Sequence, residues 1–191
     1  TMIKIVEKTA EKVFIPLTVG GGVKSVENIR DLLKAGADKI SINTAGILNE
    51  KLIFDSAQKF GSQCIVAAVD AKKQDYGWTV FSHGGTKNTG INAFEWMKKL
   101  QKLGAGEILL TSMDKDGTKN GFDLELLKKA TNILDIPLIA SGGAGKLQHF
   151  KEGVIVGGAN ALLAASIFHF AEFSISEVKE YLSKENINTR L

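Results

Sequence analysis

Two stretches of this chain, 121 residues apart, carry nearly the same pattern. Residues 15–46 read IPLTVGGGVKSVENIRDLLKAGADKISINTAG, and residues 136–168 read IPLIASGGAGKLQHFKEGVIVGGANALLAASIF. Pro16 matches Pro137 and Gly21 matches Gly142 at that spacing, and Thr44 matches Ser166 at 122. Each copy runs apolar strand, glycine pair, helix, apolar strand, then a short hydroxyl-bearing turn. Strands alternating with helices at this interval imply βαβ units and a parallel sheet, and a unit of this kind occurring twice is the pattern of a duplicated half-barrel.

The period also sets a size. Two such halves make about 242 residues, close to the ~250 typical of a (β/α)8 TIM barrel, whereas the chain has 191. The strands at 63–71 and 105–113 precede the second copy, and their counterparts would fall before residue 1. The expectation is therefore a single α/β domain over residues 1–191, a TIM barrel with a half-barrel repeat. It would open on Thr1 in mid-helix, N-terminally truncated by about its first two βα units. A self-sufficient six-unit α/β domain is the alternative.

The remaining elements read as helices over 2–12, 25–35 (with Ser25 as N-cap), 49–59, 91–104, 123–134, 146–157 and 174–188. Strands are expected at 15–19, 38–42, 136–140 and 160–164, with a short hairpin arm at 79–83. The single cysteine, Cys64, excludes an internal disulfide, is read as a core residue, and fits a reducing, cytoplasmic setting. The net charge of +3 is carried by lysines spread over helices, which gives no nucleic-acid signature, and no apolar run of membrane-spanning length occurs. His149 and His169 are read as carrying no metal site, and neither a metal nor another cofactor is expected.

In a barrel of this type the working groups lie just past the carboxyl ends of the strands. Here those ends carry Gly20-Gly21-Gly22, Asn43-Thr44, Asp70, then Thr111 with Asp114, Asp116 and Gly117, then Ser141-Gly142-Gly143, and Ala165-Ser166. Phosphate oxygens need several backbone N–H donors at close range, which a Cβ would obstruct. Each half pairs a glycine turn with a hydroxyl turn one strand later: Gly22 with Asn43 and Thr44, Gly142 and Gly143 with Ala165 and Ser166. Two phosphate sites on opposite sides of one mouth imply a ligand phosphorylated at both ends. Asp70 ends an otherwise apolar strand between them, where a carboxylate with a raised pKa serves as general acid or base. Asp116 is read as substrate-orienting, Asp114 is left ambiguous, His83 is a weak candidate, and Trp78 reads as a lid residue. At the opposite mouth Asp38, Lys39 and Glu107 read, on their own, as a salt-bridge layer.

The segments TVGGGV (18–23), KISINTAG (39–46), VAAVDAKK (66–73), GEILLTSMDKDGTKNGFD (106–123) and IASGGAGKLQHF (139–150) resemble the cyclase subunit family of imidazole glycerol phosphate synthase, and the likeness covers essentially the whole chain. The resemblance implies a lyase of histidine biosynthesis that takes a bisphosphorylated ribulosyl aminoimidazole-carboxamide ribonucleotide (PRFAR) and ammonia to imidazole glycerol phosphate and AICAR. It implies two acid/base aspartates: Asp70 matches one, and the other belongs to a strand expected before residue 1. Gly22, Asn43 and Thr44 match one phosphate site; Gly117, Gly143, Ala165 and Ser166 match the other. Asp38, Lys39 and Glu107 match positions facing a glutaminase subunit that supplies ammonia through the barrel. Two other readings stay open: a paralogue delivering ammonia to another pathway, and a non-catalytic phosphate-binding or glutaminase-docking module.

Overall fold

The computed structural model describes residues 2–190, so Thr1, expected in mid-helix, lies outside them. Six strands form one parallel path: β1 (Thr18–Gly20), β2 (Lys39–Ile42), β3 (Ile65–Gln74), then β6 (Glu107–Ser112), β7 (Leu138–Ser141) and β8 (Ala161–Leu163). Among the described residues β1 pairs with β2 alone and β8 with β7 alone, so the path is open. This is the parallel α/β architecture of a (β/α)8-type barrel, in half-barrel form.

Helices follow the strands because their apolar residues recur every three or four positions. In α2 (Val26–Lys34) these are Ile29 and Leu32, and in α4 (Glu50–Phe60) Leu52, Ile53 and Ala57. In α5 (Ala93–Lys102) they are Trp96, Met97 and Leu100, and in α6 (Leu124–Thr131) Leu126, Leu127 and Ala130. They pack on one face of the sheet, where Ile40, Ile65, Ala67, Val69, Ile108, Leu110 and Ala140 are fully buried. Burying each of the larger of these side chains stabilises the fold by about 1.5–3 kcal/mol.

The opposite face holds the other alternate residues, because side chains along a strand change sides with period 2. Ser41, Ala68, Asp70, Leu109, Thr111, Ile139 and Ser141 point there and are half-buried, while Thr18 and Leu163 are exposed. Register aligns Asp70 with Thr111, Thr111 with Ser141, and Ser141 with Leu163, one row at the carboxyl end of the sheet.

Several expectations need correction. The hairpin is larger than one short arm. β3 runs on past Asp70 to pair antiparallel with β4 (Gly77–Ser82), and β4 pairs with β5 (Lys87–Asn92), so residues 91 and 92 belong to a strand and α5 starts at Ala93. Asp70 consequently lies inside a strand rather than at its end, one residue before the parallel pairing with β6 stops at Ala71 and Ser112. The hydroxyl turn of each half coils into a short helix, α3 (Thr44–Leu48) and α8 (Ser166–His169). Cys64 closes a 3-10 turn (Ser62–Cys64) before β3 and is only partly buried. Trp78 is a core residue and not a lid. It is 3% exposed, edge-on to Phe94 at 5.7 Å, and its Nε1 donates to Asp123 Oδ2 at 3.2 Å.

The other helices are α1 (Met2–Ala10), α7 (Leu147–Ile155) and α9 (Ile175–Lys184). No helix among the described residues is long and apolar enough to cross a membrane.

A candidate active site at the carboxyl end of the sheet

The turn after β1 owes its shape to glycine. Gly21 and Gly22 adopt φ of 93° and 71°, a region costly for any residue with a Cβ, and nothing lies within 4 Å of where those Cβ atoms would stand. Their backbone is therefore open to a ligand. With Asn43, Thr44, His83 and Gly84 they line a recess of about 680 Å3. Thr44 Oγ1 accepts the His83 backbone N–H at 2.8 Å, which leaves the threonine proton free to donate into the recess.

The second glycine turn is built differently. Gly142 and Gly143 also have positive φ, 92° and 103°, but here backbone crowds them. A Cβ on Gly142 would come within 2.8 Å of Ser112 O, and one on Gly143 would fall on the carbonyl of Gly121. That approach is sealed by the Gly121 N–H donating to Gly143 O at 2.8 Å. The loop after β6 and the turn after β7 are thus one interlocked body. Asp116, Gly117, Lys119, Gly142, Gly143, Ala165 and Ser166 line a recess of about 180 Å3 there.

Asp70 stands on the sheet between these recesses. Asn43 Nδ2 donates to its Oδ2 at 2.9 Å. Burial raises the Asp70 pKa above its usual 3.8; the Asn43 bond opposes the rise, and the negative charge of Asp116 adds to it. Among the described residues Asn43 Oδ1 is buried without a partner. Thr111 neighbours Asp70 in register on the floor, outside both recesses. Asp114 has a scaffolding place: its Oδ2 accepts the Lys73 N–H at 2.7 Å, tying the β6 loop to the hairpin.

The opposite end departs in one respect from a continuous salt-bridge layer. Lys39 and Glu107 pair there, with side chains 28% and 20% exposed. Asp38 joins no such layer. Its Oδ2 accepts the Leu17 N–H at 2.7 Å, serving the backbone beside Pro16, where the chain enters β1. Lys119 gave no signal in the sequence, because it stands in an exposed polar run without periodicity, yet it lines the second recess and pairs with Glu172. Among the described residues no group of three or more His, Cys, Asp or Glu is placed to hold a metal ion.

An open parallel sheet of the (β/α)8 type, with two glycine turns flanking a carboxylate at its carboxyl end, defines a barrel protein with an enzyme-like mouth. The sequence pattern of the family described as "Histidine biosynthesis protein" matches residues 1–174. The chain is 59% identical over 193 aligned residues to imidazole glycerol phosphate synthase subunit HisF of Clostridium botulinum (strain Kyoto / Type A2) and 58% identical to that of strain 657 / Type Ba4. Each alignment covers all of this chain and 76% of the relative. The chain belongs to the imidazole glycerol phosphate synthase cyclase-subunit family, whose role is in histidine biosynthesis.

Proposed function

We propose that the chain carries the cyclase reaction in which PRFAR and ammonia give imidazole glycerol phosphate and AICAR. Asp70 moves a proton as general acid or base in this reading. The observation that carries it is the Asp70 carboxyl itself, held by Asn43 on a strand between those that carry the two glycine-lined recesses, with burial favouring its protonated form. One phosphate of the substrate takes Gly22, Asn43 and Thr44. The other takes Gly117, Gly142, Gly143, Ala165 and Ser166, with Thr111 lining the floor and Asp116 orienting the substrate. Asp38, Lys39 and Glu107 face a glutaminase subunit at the other end, and ammonia passes the Lys39–Glu107 pair. Support for a partner comes from the relatives' own names, which make each a subunit of a synthase.

The test is turnover of PRFAR with ammonium salt and no glutaminase. It is run on the 191-residue chain and on the chain preceded by the strand that the family resemblance places upstream. Activity that Asp70→Asn lowers by about 10²–10⁴-fold is the expected result. No turnover in either form, despite bisphosphate binding, overturns the reading in favour of a binding module.

A further inference from the structure

The helices that follow the two glycine turns share a feature with no part in the reading above. In α7 the His149 Nδ1 accepts two backbone N–H groups, those of Gly145 at 3.1 Å and Lys146 at 3.2 Å. In α2 the Asn28 Oδ1 accepts the N–H of Lys24 at 3.2 Å. Asn28 and His149 stand at the repeat spacing of 121, and so do Lys24 and Gly145. Both halves therefore use the third helical residue to hold the backbone between the glycine turn and the helix.

Glutamate and glutamine are the usual residues for this reach-back, and glutamate also favours a helix N-terminus electrostatically. The same molecule uses it where no glycine turn is near: in α9, Glu177 Oε2 accepts the Ser174 N–H at 2.7 Å, a bond that lowers the Glu177 pKa. Behind the glycine turns the acceptor is uncharged both times. The His149 ring must carry its proton on Nε2, since Nδ1 accepts, and it lies against Gly121, the glycine that locks onto Gly143. The first turn of α7 holds no acidic residue at all. The first turn of α2 does hold an acid, Glu27, whose exposed carboxyl is held below its usual range by its own backbone N–H and by Ser25, then by Lys59 and Arg30; it is Asn28 and not Glu27 that bonds the Lys24 N–H.

We propose that His149 and Asn28 are positioning residues that shape the two anion-binding turns and are uncharged so that the turns retain their affinity for phosphate. A carboxylate in either place would accept the same N–H groups equally well but would add a negative charge at the positive helix end, beside the bound anion. The inference rests on reading the two turns as phosphate sites.

The experiment is a titration of the 15N-labelled chain with inorganic phosphate. The amide shifts of Gly143 and Ser166 report one recess, and those of Gly22 and Thr44 report the other. His149→Glu should keep the melting temperature of His149→Gln yet weaken phosphate at Gly143 and Ser166 by about fivefold or more, leaving Gly22 and Thr44 within about twofold. Asn28→Asp, nearly isosteric, should do the reverse. His149→Gln should stay within about twofold at both recesses, as an uncharged acceptor of similar reach. Unchanged affinity at Gly143 in a folded His149→Glu, together with unchanged affinity at Gly22 in Asn28→Asp, overturns the inference and leaves the phosphate reading standing. Silence of both amide pairs in the unsubstituted chain overturns the phosphate reading as well.

Discussion

Asn43, just past the end of β2, and Asp70 on the neighbouring β3 are 27 positions apart in sequence and meet through a single bond of 2.9 Å. The bond supports the ionised carboxylate, while burial and the charge of Asp116 oppose it, and the opposition is the stronger. Because the folded carboxyl then holds its proton more tightly than the unfolded one, ionisation costs stability. That cost begins as pH rises through the ordinary 3.8 and is complete above the folded value. Asp70→Asn should therefore melt higher than the parent at neutral pH, with the gap closing in acid, measured by calorimetry across pH. Cyclase turnover should fall by about 10²–10⁴-fold. A gap that widens in acid would contradict the sign.

The two glycine turns should answer alanine differently. Gly22→Ala meets open space and costs only the left-handed conformation, about 1–2 kcal/mol. Gly143→Ala drives a methyl into the Gly121 carbonyl, so the loops must part and the cost should exceed that figure clearly. Urea unfolding separates the two variants, while phosphate titration should show both weakened.

Asp123 gathers three donors: Trp78 Nε1 and Ser112 Oγ at 3.2 Å each, and the Leu126 N–H at 3.1 Å. Asp123→Ala strips a helix N-cap and leaves two buried donors unpaired, which should cost about 2–4 kcal/mol in chemical unfolding. Nearby Glu125 is the contrast. Lys129 and Lys73 hold its carboxyl down to about 2, yet it is exposed, and Glu125→Gln should leave the unfolding midpoint where it was.

Lys39→Ala tests the far end of the sheet. If ammonia passes the Lys39–Glu107 pair, the variant should keep turnover with ammonium salt and lose coupling to glutamine hydrolysis in the presence of a glutaminase subunit. Equal losses in the two assays would make the pair structural only.

Much of this was legible in the chain because it depends on local pattern. The repeat pointed to parallel βαβ units with a glycine turn in each copy, and Ser25 caps α2 as its position suggests, accepting the Asn28 N–H at 3.2 Å. What escaped the sequence depends on partners distant along the chain. Trp78 sits in a polar segment that resembles a cover, and only contact with Phe94 and Asp123 makes it core. Asp70 looked like a strand end because the run turns polar after Ala71, but pairing with β4 carries the strand through Lys72, Lys73 and Gln74. Asp38 sits beside Lys39 in sequence, yet its bond goes to the Leu17 backbone, 21 residues away.

The lock between Gly121 and Gly143 bears on how such a protein can be altered. The segment DKDGTKNG and the segment SGGAGK are not separable cassettes. Transplanting either one from a relative without the other puts a foreign backbone where only a matched surface fits. Directed evolution of ligand preference on this side of the mouth should therefore advance through paired changes in the two loops, whereas the turn at Gly21 and Gly22, facing open space, can be varied alone.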